Sequence, residues 1–304
     1  MIQRRVVAGI DVGGTKAHVL VEDADTGTVL RDVVLSSEDW TRLSTERRGQ
    51  ALAELARSQV VRVGDVAGLA AGVHGSDSPE QHAVFESALR QVCPGAIVTS
   101  DAELVVPAAG YDGGVGVIAG TGSSATSRRK DGSVVTVGGW GWLLGDDGGA
   151  TGLVRDAARS VLFAYDSGQT DLMNDLLLNA FDIDHPALLG GYLAEHEPRR
   201  WAQAAHAVFT AALRGSPAAS SVIARHVGAL AELVATIARR GGRIDRVVAG
   251  GGVLRNQLGY FASFAEEVRR LLPDVQDVVR LDRAPVHGAL RLARQTIEPP
   301  ERNR

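Results

Sequence analysis

Gly9-Ile10-Asp11-Val12-Gly13-Gly14-Thr15-Lys16, entered from the apolar run Val6-Val7-Ala8 and left through Ala17-His18-Val19-Leu20-Val21, is the stretch on which the reading of this chain turns. The pattern is that of a buried strand, a tight glycine turn and a second strand. Two glycines remove Cβ atoms where a ligand would approach the backbone, and they permit φ > 0 at the turn. Successive N–H groups in such a turn make a concave nest that suits phosphate oxygens. Asp11, at the strand end, is placed to hold a hydrated divalent cation beside those phosphates. Taken alone, the segment reads equally well as an ordinary hairpin.

The pattern recurs. Val115-Gly116-Val117-Ile118-Ala119-Gly120-Thr121-Gly122-Ser123-Ser124-Ala125 is again an apolar strand, a turn of small residues and a second strand. A third instance is Arg246-Val247-Val248-Ala249-Gly250-Gly251-Gly252-Val253. Three such turns at strand ends, spread over the whole length, read as parts of one nucleotide site.

Composition sets the class. A chain of 304 residues, 45% hydrophobic, holds one large domain or two ordinary ones with full cores. A net charge of −4 carries no electrostatic footprint for nucleic acid. Lys16 and Lys130 are the only lysines, so Lys16 stands out mildly in the first turn. Cys93 is the only cysteine, which excludes an intrachain disulfide and a cysteine metal cage. Met1-Ile2-Gln3-Arg4-Arg5 runs straight into a strand without an apolar leader, and no uninterrupted apolar stretch has membrane length. The expected compartment is the cytoplasm, with no membrane partner, and residues 298–304 read as a frayed tail.

Along the chain, strands are expected at 6–11, 17–22 and 28–35, followed by a helix over about 41–60 and a strand at 66–73 covered on both faces. Ser78-Pro79-Glu80-Gln81 supplies an N-cap, a proline at the first helical position and a capping-box glutamine for a helix reaching about Val92. A strand at 96–100 delivers Asp101 to its carboxyl end, and Asp101 also begins a helical stretch, 102–109. The order is βββαβαβα, half of an α/β protein with a mixed sheet. Strands at 115–119, 123–128 and 133–137 echo the opening. Helices follow at about 150–165, 170–181, 199–213 and 217–241, then a strand at 246–249, a helix at 257–272, a strand near 275–281 and a closing helix at 286–296. The halves read as duplicates, residues 1–110 and 111–304, with a cleft between them and a last helix able to pack back on the first.

Asp101 is the leading candidate for chemistry, because open α/β sheets bind ligands outside the carboxyl ends of their strands. Phosphoryl transfer needs charge neutralisation, alignment and one carboxylate to take the hydroxyl proton. The alternative role for Asp101 is N-cap of the next helix, and the two are compatible. Thr15, Thr121 and Ser123 can donate hydroxyl hydrogen bonds to phosphates. Lys16 adds a cation there, or is simply solvated. Gly138-Gly139-Trp140-Gly141-Trp142-Leu143-Leu144-Gly145-Asp146-Asp147-Gly148-Gly149 is dense in glycine. Trp140 and Trp142 could stack on a sugar ring while Asp146 accepts from hydroxyls; otherwise this is a surface loop with buried tryptophan anchors, or the acid pair binds a metal. Gly215-Ser216-Pro217 by itself is a helix break. His206, His226 and His287 lack metal-ligand spacing and read as structural or solvent-facing.

With these residues quoted, the chain resembles the BadF/BadG/BcrA/BcrD ATPase family, and within it the N-acetylglucosamine kinases of the actin–hexokinase–heat-shock-70 superfamily. The carriers are Gly9–Thr15, Ser100-Asp101-Ala102, Gly120-Thr121-Gly122-Ser123, Gly138–Gly141 with Leu144–Gly148, Gly250–Gly252 and Ala284-Pro285-Val286-His287-Gly288-Ala289. The resemblance implies two duplicated ribonuclease H-like domains that close over a sugar, ATP and Mg2+ as cofactors, and a homodimer. It implies that Asp101 is the base activating a sugar 6-hydroxyl. It further implies that Asp11, Gly13, Gly14, Thr15, Lys16, Gly120, Thr121, Gly122, Ser123, Gly215, Gly251, Gly252 and Asn256 line the nucleotide, and that Gly139, Trp140, Gly141 and Asp146 touch the sugar.

Departures cluster on the substrate side. Glu38 stands where these kinases carry an asparagine before tryptophan, His74 where they carry a serine, Ser124 where they carry an asparagine, and Asp147 where glutamate is usual. A carboxylate in place of an amide changes which donors are satisfied and could favour a free amino sugar over its N-acetyl form. The nearest rival is an activator ATPase of the 2-hydroxyacyl-CoA dehydratase type, which needs cysteines for a bridging iron–sulfur cluster; Cys93 alone is a poor ligand set.

Overall fold

The computed structural model describes residues 4–14, 16–37, 39–76 and 78–297; Thr15, Glu38 and the tail 298–304 lie outside them. The chain forms two compact units, Met1–Gly113 with Leu281–Arg304, and Gly114–Arg280.

The first unit holds β1 (Arg5–Val12), β2 (Lys16–Asp23), β3 (Val29–Ser36), β4 (Asp65–Val73) and β5 (Ile97–Ser100) in the order β3-β2-β1-β4-β5. β2 runs antiparallel to both β1 and β3, while β4 is parallel to β1 and β5. Alternation along β1 sorts its side chains between two layers. Val6, Ala8, Ile10 and Val12 join a core with Leu52, Phe85 and Leu89 from helices Thr45–Ala56 and Pro79–Arg90. Val7, with Leu20 and Ala70, packs on Val286, Leu290 and Ala293 of the closing helix Val286–Gln295.

That second contact explains Gly9. A Cβ there would stand 2.5 Å from Leu290 N and 2.6 Å from Val286 O, so the closing helix can lie on β1 only over a bare backbone. Gly9→Ala is therefore expected to cost about 2–3 kcal/mol, read from the urea midpoint. Gly190→Ala, in helix Leu189–Glu195 with open space at its Cβ position, is expected to be neutral or slightly stabilising.

The second unit repeats the topology. β6 (Val115–Ala119), β7 (Ser123–Arg128), β8 (Val134–Gly138), β9 (Arg246–Gly250) and β10 (Asp277–Arg280) lie in the order β10-β9-β6-β7-β8, with the same parallel and antiparallel pairings. The sheet shares one core with Leu153 and Val154 of helix Ala150–Asp166, Leu230 and Val234 of helix Pro217–Arg239, and Phe264 of helix Leu258–Leu271. Both sheets are mixed and five-stranded, as the duplicated α/β reading expects.

Several boundaries differ for local reasons. The helix expected from residue 41 starts at Thr45, because Ser44 caps it by accepting from Arg47 N, and a 3-10 turn, Trp40–Arg42, precedes it. The stretch 199–213 breaks into Pro198–Ala202 and Ala205–Leu213. Helix Leu189–Glu195, absent from the sequence reading, follows a 3-10 turn at Pro186–Leu188. The capping box at Ser78 forms, with Gln81 N donating to Ser78 Oγ and Ser78 N to Gln81 Oε1. Helix Pro217–Arg239 is long and apolar enough to cross a membrane by composition, yet Val222, Leu230, Val234 and Ile237 are fully buried in the unit's core.

Candidate active site

Parallel pairing brings the carboxyl ends of β1, β4 and β5 side by side: Val12 is paired with Val73, and Val73 with Ser100. Asp11, His74 and Asp101 thus gather at one sheet edge. The turn after β1 is closed by Gly13 N donating to Lys16 O (2.9 Å), and Ser37 Oγ donates to Gly13 O (2.8 Å). Gly13 does not adopt a left-handed φ, contrary to the expectation for this turn. Its Cβ position meets only Lys16 O at 3.5 Å, an ordinary contact, so the protein's own packing does not demand glycine there.

Asp101 is not the helix cap. Ser100 takes that position, and both its N–H (3.0 Å) and its hydroxyl (3.2 Å) donate to Glu103 Oε2. Asp101 instead opens the 3-10 turn Asp101–Leu104, where Oδ1 accepts from Ala102 N (2.9 Å) and Oδ2 lies 3.3 Å from His74 Nδ1. Its side chain remains 30% exposed, so an oxygen with an available lone pair faces the surroundings. His74 is steadied from behind, its carbonyl accepting from Trp40 Nε1 (2.9 Å) and its N–H donating to Val12 O (2.8 Å). Burial first, and then the charge of Asp101, push the Asp11 carboxyl up to about 7, with Lys16 pulling the other way.

In the second unit the second and third glycine turns meet. Gly120 O accepts from Ala150 N (2.9 Å), and Thr121 O from Thr151 N (3.0 Å) and Thr151 Oγ1 (2.9 Å). These carbonyls cap the start of helix Ala150–Asp166. Gly251 (φ +90°) lies under β6, where a Cβ would fall 2.8 Å from Ala119 N and closer still to its carbonyl. Gly252, next in the chain, has open space, and its nitrogen is the nearest atom, at 3.9 Å, to the Cβ position of Gly120. The turns 120–122 and 250–252 therefore adjoin. Ser123 is buried, and its hydroxyl donates to Asp147 O (2.8 Å), so this group is engaged inside the unit. Thr121 is exposed, as are Gly215 (φ +91°) before the long helix and Asn256 at the end of helix Gly252–Asn256.

The glycine-dense loop follows β8. Gly138, Gly139 and Gly141 all have φ near +80°, and Asp146, at φ +60°, is one of two non-glycine residues in the left-handed region among those described. Asp146 Oδ1 accepts from Ser123 N (3.2 Å), and burial raises its carboxyl above the usual range. Ser124 pairs with Gly138 and lies beside Gly139. Trp140 is 74% exposed and so is no buried anchor, whereas Trp142 packs edge-on against Trp201 at 4.9 Å. Asp147 pairs with Arg155 Nη2 (2.5 Å) rather than joining Asp146, and among the described residues no group of three or more His, Cys, Asp or Glu is arranged to hold a metal ion. A single carboxylate such as Asp11, with phosphate oxygens and water completing the set, is the donor pattern that suits Mg2+.

Sequence reasoning missed Arg155 and Asp156 and read His226 as structural or solvent-facing. Asp156 is 6% exposed, and the His226 ring, 3.2 Å away though poorly aligned for a hydrogen bond, leads the groups that hold its carboxyl down to about 2; Arg155 and Arg225 add to this against burial. His226 is 70 residues further along the chain, so no local motif marks the pair. A carboxyl lowered on folding stabilises the fold above its unfolded value and stops doing so as pH falls through its folded value. Stability of the second unit is thus expected to drop by on the order of 2 kcal/mol between pH 4 and pH 2. Asp156→Asn should remove that part of the acid dependence in urea titrations. Cys93 is buried, and burial pushes its thiol up, an environment unlike that of a shared cluster ligand.

Comparison with known proteins follows the same lines. Over 97% of this chain and all of the relative, the sequence is 24% identical to an N-acetylmuramic acid/N-acetylglucosamine kinase of Clostridium acetobutylicum. The fold is shared with a candidate N-acetylglucosamine kinase of Chromobacterium violaceum (TM-score 0.71, 20% identity, 95% of this chain and 99% of that one). It is shared as well with a ROK family glucokinase of Streptomyces griseus in complex with glucose and AMPPNP (TM-score 0.56, 18% identity, 95% and 99% covered). The model of the BadF/BadG/BcrA/BcrD ATPase family matches residues 8–293. This chain, with its two mixed sheets and glycine turns, belongs to the BadF/BadG/BcrA/BcrD ATPase family.

Proposed function

We propose that the protein transfers the γ-phosphoryl group of ATP to the 6-hydroxyl of an amino sugar, N-acetylglucosamine or a related hexosamine. The observation that carries this reading is Asp101: a carboxylate at the end of β5, relieved of capping duty by Ser100 and left partly exposed beside His74. In the reaction the sugar O–H bond breaks, its oxygen bonds to phosphorus, ADP leaves, and the proton goes to Asp101. Backbone N–H groups of the turn after β1 and, in the other unit, of the turns 120–122 and 250–252 would serve phosphates. Trp140, Gly139, Ser124 and Asp146 hold the sugar. Asp11 would hold Mg2+ through water, and the ion when bound would supply charge neutralisation at the phosphates. A cytoplasmic homodimer completes the proposal.

The family membership and the kinase names of relatives support phosphoryl transfer to a sugar; Glu38, His74, Ser124 and Asp147, where this chain departs from the N-acetylglucosamine kinases, bear on which hexosamine it takes. A coupled ADP-release screen over glucosamine, N-acetylglucosamine, N-acetylmannosamine, N-acetylmuramic acid and glucose tests it. A hexosamine is expected to give the highest kcat/KM. ATP turnover equal with and without every sugar would overturn the proposal.

A further inference from the structure

Beneath the Trp140–Asp147 loop lies a polar network that the chemistry above does not use. Arg155 Nη1 donates to Trp142 O (2.6 Å) and Gly145 O (3.0 Å), and Nη2 donates to Asp147 Oδ1 (2.5 Å). One guanidinium thus ties the loop at three points. Its five donors in a fixed fork suit that task as a lysine would not. Beside it, Asp156 contacts Arg155 Nε (3.4 Å), Arg225 Nη1 (3.0 Å) and His226 Nε2 (3.2 Å). His226, 1% exposed, accepts from Gly148 N through Nδ1 at 2.7 Å, which leaves the ring proton on Nε2, facing Asp156. Gly148 O in turn accepts from Tyr260 Oη (3.1 Å), so both polar groups of Gly148 are pinned from inside the unit.

Stability alone is a poor reason for this arrangement. Buried ion pairs seldom outperform apolar packing of the same volume, because desolvation offsets the attraction. What the network secures is geometry. Asp146 sits two residues before Gly148 with φ +60°, a conformation that persists only where surroundings over-determine it. The Cβ position of Gly152 lies 3.1 Å from His226 Cε1 and closer still to Asp146 O, so ring and loop share one tight contact.

We infer that Arg155 and His226 are positioning residues that set the Asp146 carboxylate for the acceptor sugar, His226 through the Gly148 N–H and Arg155 through the Trp142 and Gly145 carbonyls. Neither touches the substrate, and the inference rests on the sugar-side reading of this loop.

Two substitutions at one position separate geometry from bulk. His226→Asn puts an amide oxygen where Nδ1 accepts, keeping the Gly148 bond. His226→Gln reaches toward Asp156 and leaves the Gly148 N–H unpaired. For His226→Gln and for Arg155→Met, the acceptor KM is expected to rise about tenfold or more while the ATP KM stays within about twofold. For His226→Asn the acceptor KM should stay within about threefold of wild type. Hydrogen exchange of residues 140–149 in the nucleotide-free protein should accelerate in His226→Gln and Arg155→Met but not in His226→Asn. Circular dichroism identifies any variant that has unfolded, and Arg155→Lys, which keeps the charge but not the fork, then replaces Arg155→Met. The inference is overturned if acceptor and ATP KM rise together, if the two His226 variants behave alike, or if loop exchange does not change. Should wild type phosphorylate no sugar, the functional proposal fails by itself, and the exchange result still decides the positioning role.

Discussion

Asp101→Asn should lower kcat for sugar phosphorylation by about a hundredfold to ten-thousandfold while leaving ATP affinity within about twofold. The asparagine keeps the shape, and its amide oxygen can still accept from Ala102 N as Asp101 Oδ1 does at 2.9 Å. What goes is the only property proton transfer requires, a basic oxygen on the exposed side. The substitution also removes a negative charge from beside Asp11, one of the causes that raise its carboxyl. A polyanionic nucleotide has no reason to bind more weakly to the variant. Calorimetry with ATP alongside steady-state kinetics checks both halves. Normal turnover in the variant would remove Asp101 from the mechanism.

The second large effect is expected at Gly251, and its neighbour supplies the control. Gly251→Ala forces a side chain into φ +90° and drives a Cβ against the Ala119 peptide. Left-handed strain and overpacking each cost about 1–3 kcal/mol, so roughly 2–6 kcal/mol should be lost from the second unit. Gly252→Ala meets open space and sits at the start of helix Gly252–Asn256, so its stability should be nearly unchanged. Its methyl nevertheless projects into the open space beside the turn 250–252, with no protein atom within 4 Å. The ATP KM of Gly252→Ala should rise about tenfold or more if that space belongs to the nucleotide. Thermal melts and ATP titrations on the two variants test the contrast. Equal effects on stability would refute the packing argument, and an unchanged KM for Gly252→Ala the ligand argument.

Much of this fold was legible because its signals are local. The apolar run Val6-Val7-Ala8 ahead of a glycine turn, the Ser78–Gln81 capping box and the repeated strand–glycine–strand pattern each follow from residues a few positions apart. The role of the glycines was only half legible. Gly251 read as a ligand-facing turn residue and Gly9 only as part of a strand, yet their missing side chains make room for Ala119 and Leu290, partners far along the chain. The break at Gln203–Ala204 escaped notice because both residues suit a helix interior and no glycine or proline marks the stop. On the site, Asp101 was found by its place after a strand, but its release from capping depends on Glu103 being drawn to Ser100. Arg155, Asp156 and His226 were invisible as a group, since a buried polar network is assembled by the tertiary fold and carries no spacing rule.

The most direct test of the central claim is the phosphorus balance of the wild-type reaction. Purified protein, Mg2+-ATP and the best hexosamine from the screen are followed by 31P NMR, with the product's phosphorus correlated to its attached protons. The account predicts one sugar phosphate for every ADP, with phosphorus coupled to the two protons on C6. ADP accompanied by inorganic phosphate, at a rate indifferent to the sugar, would contradict it.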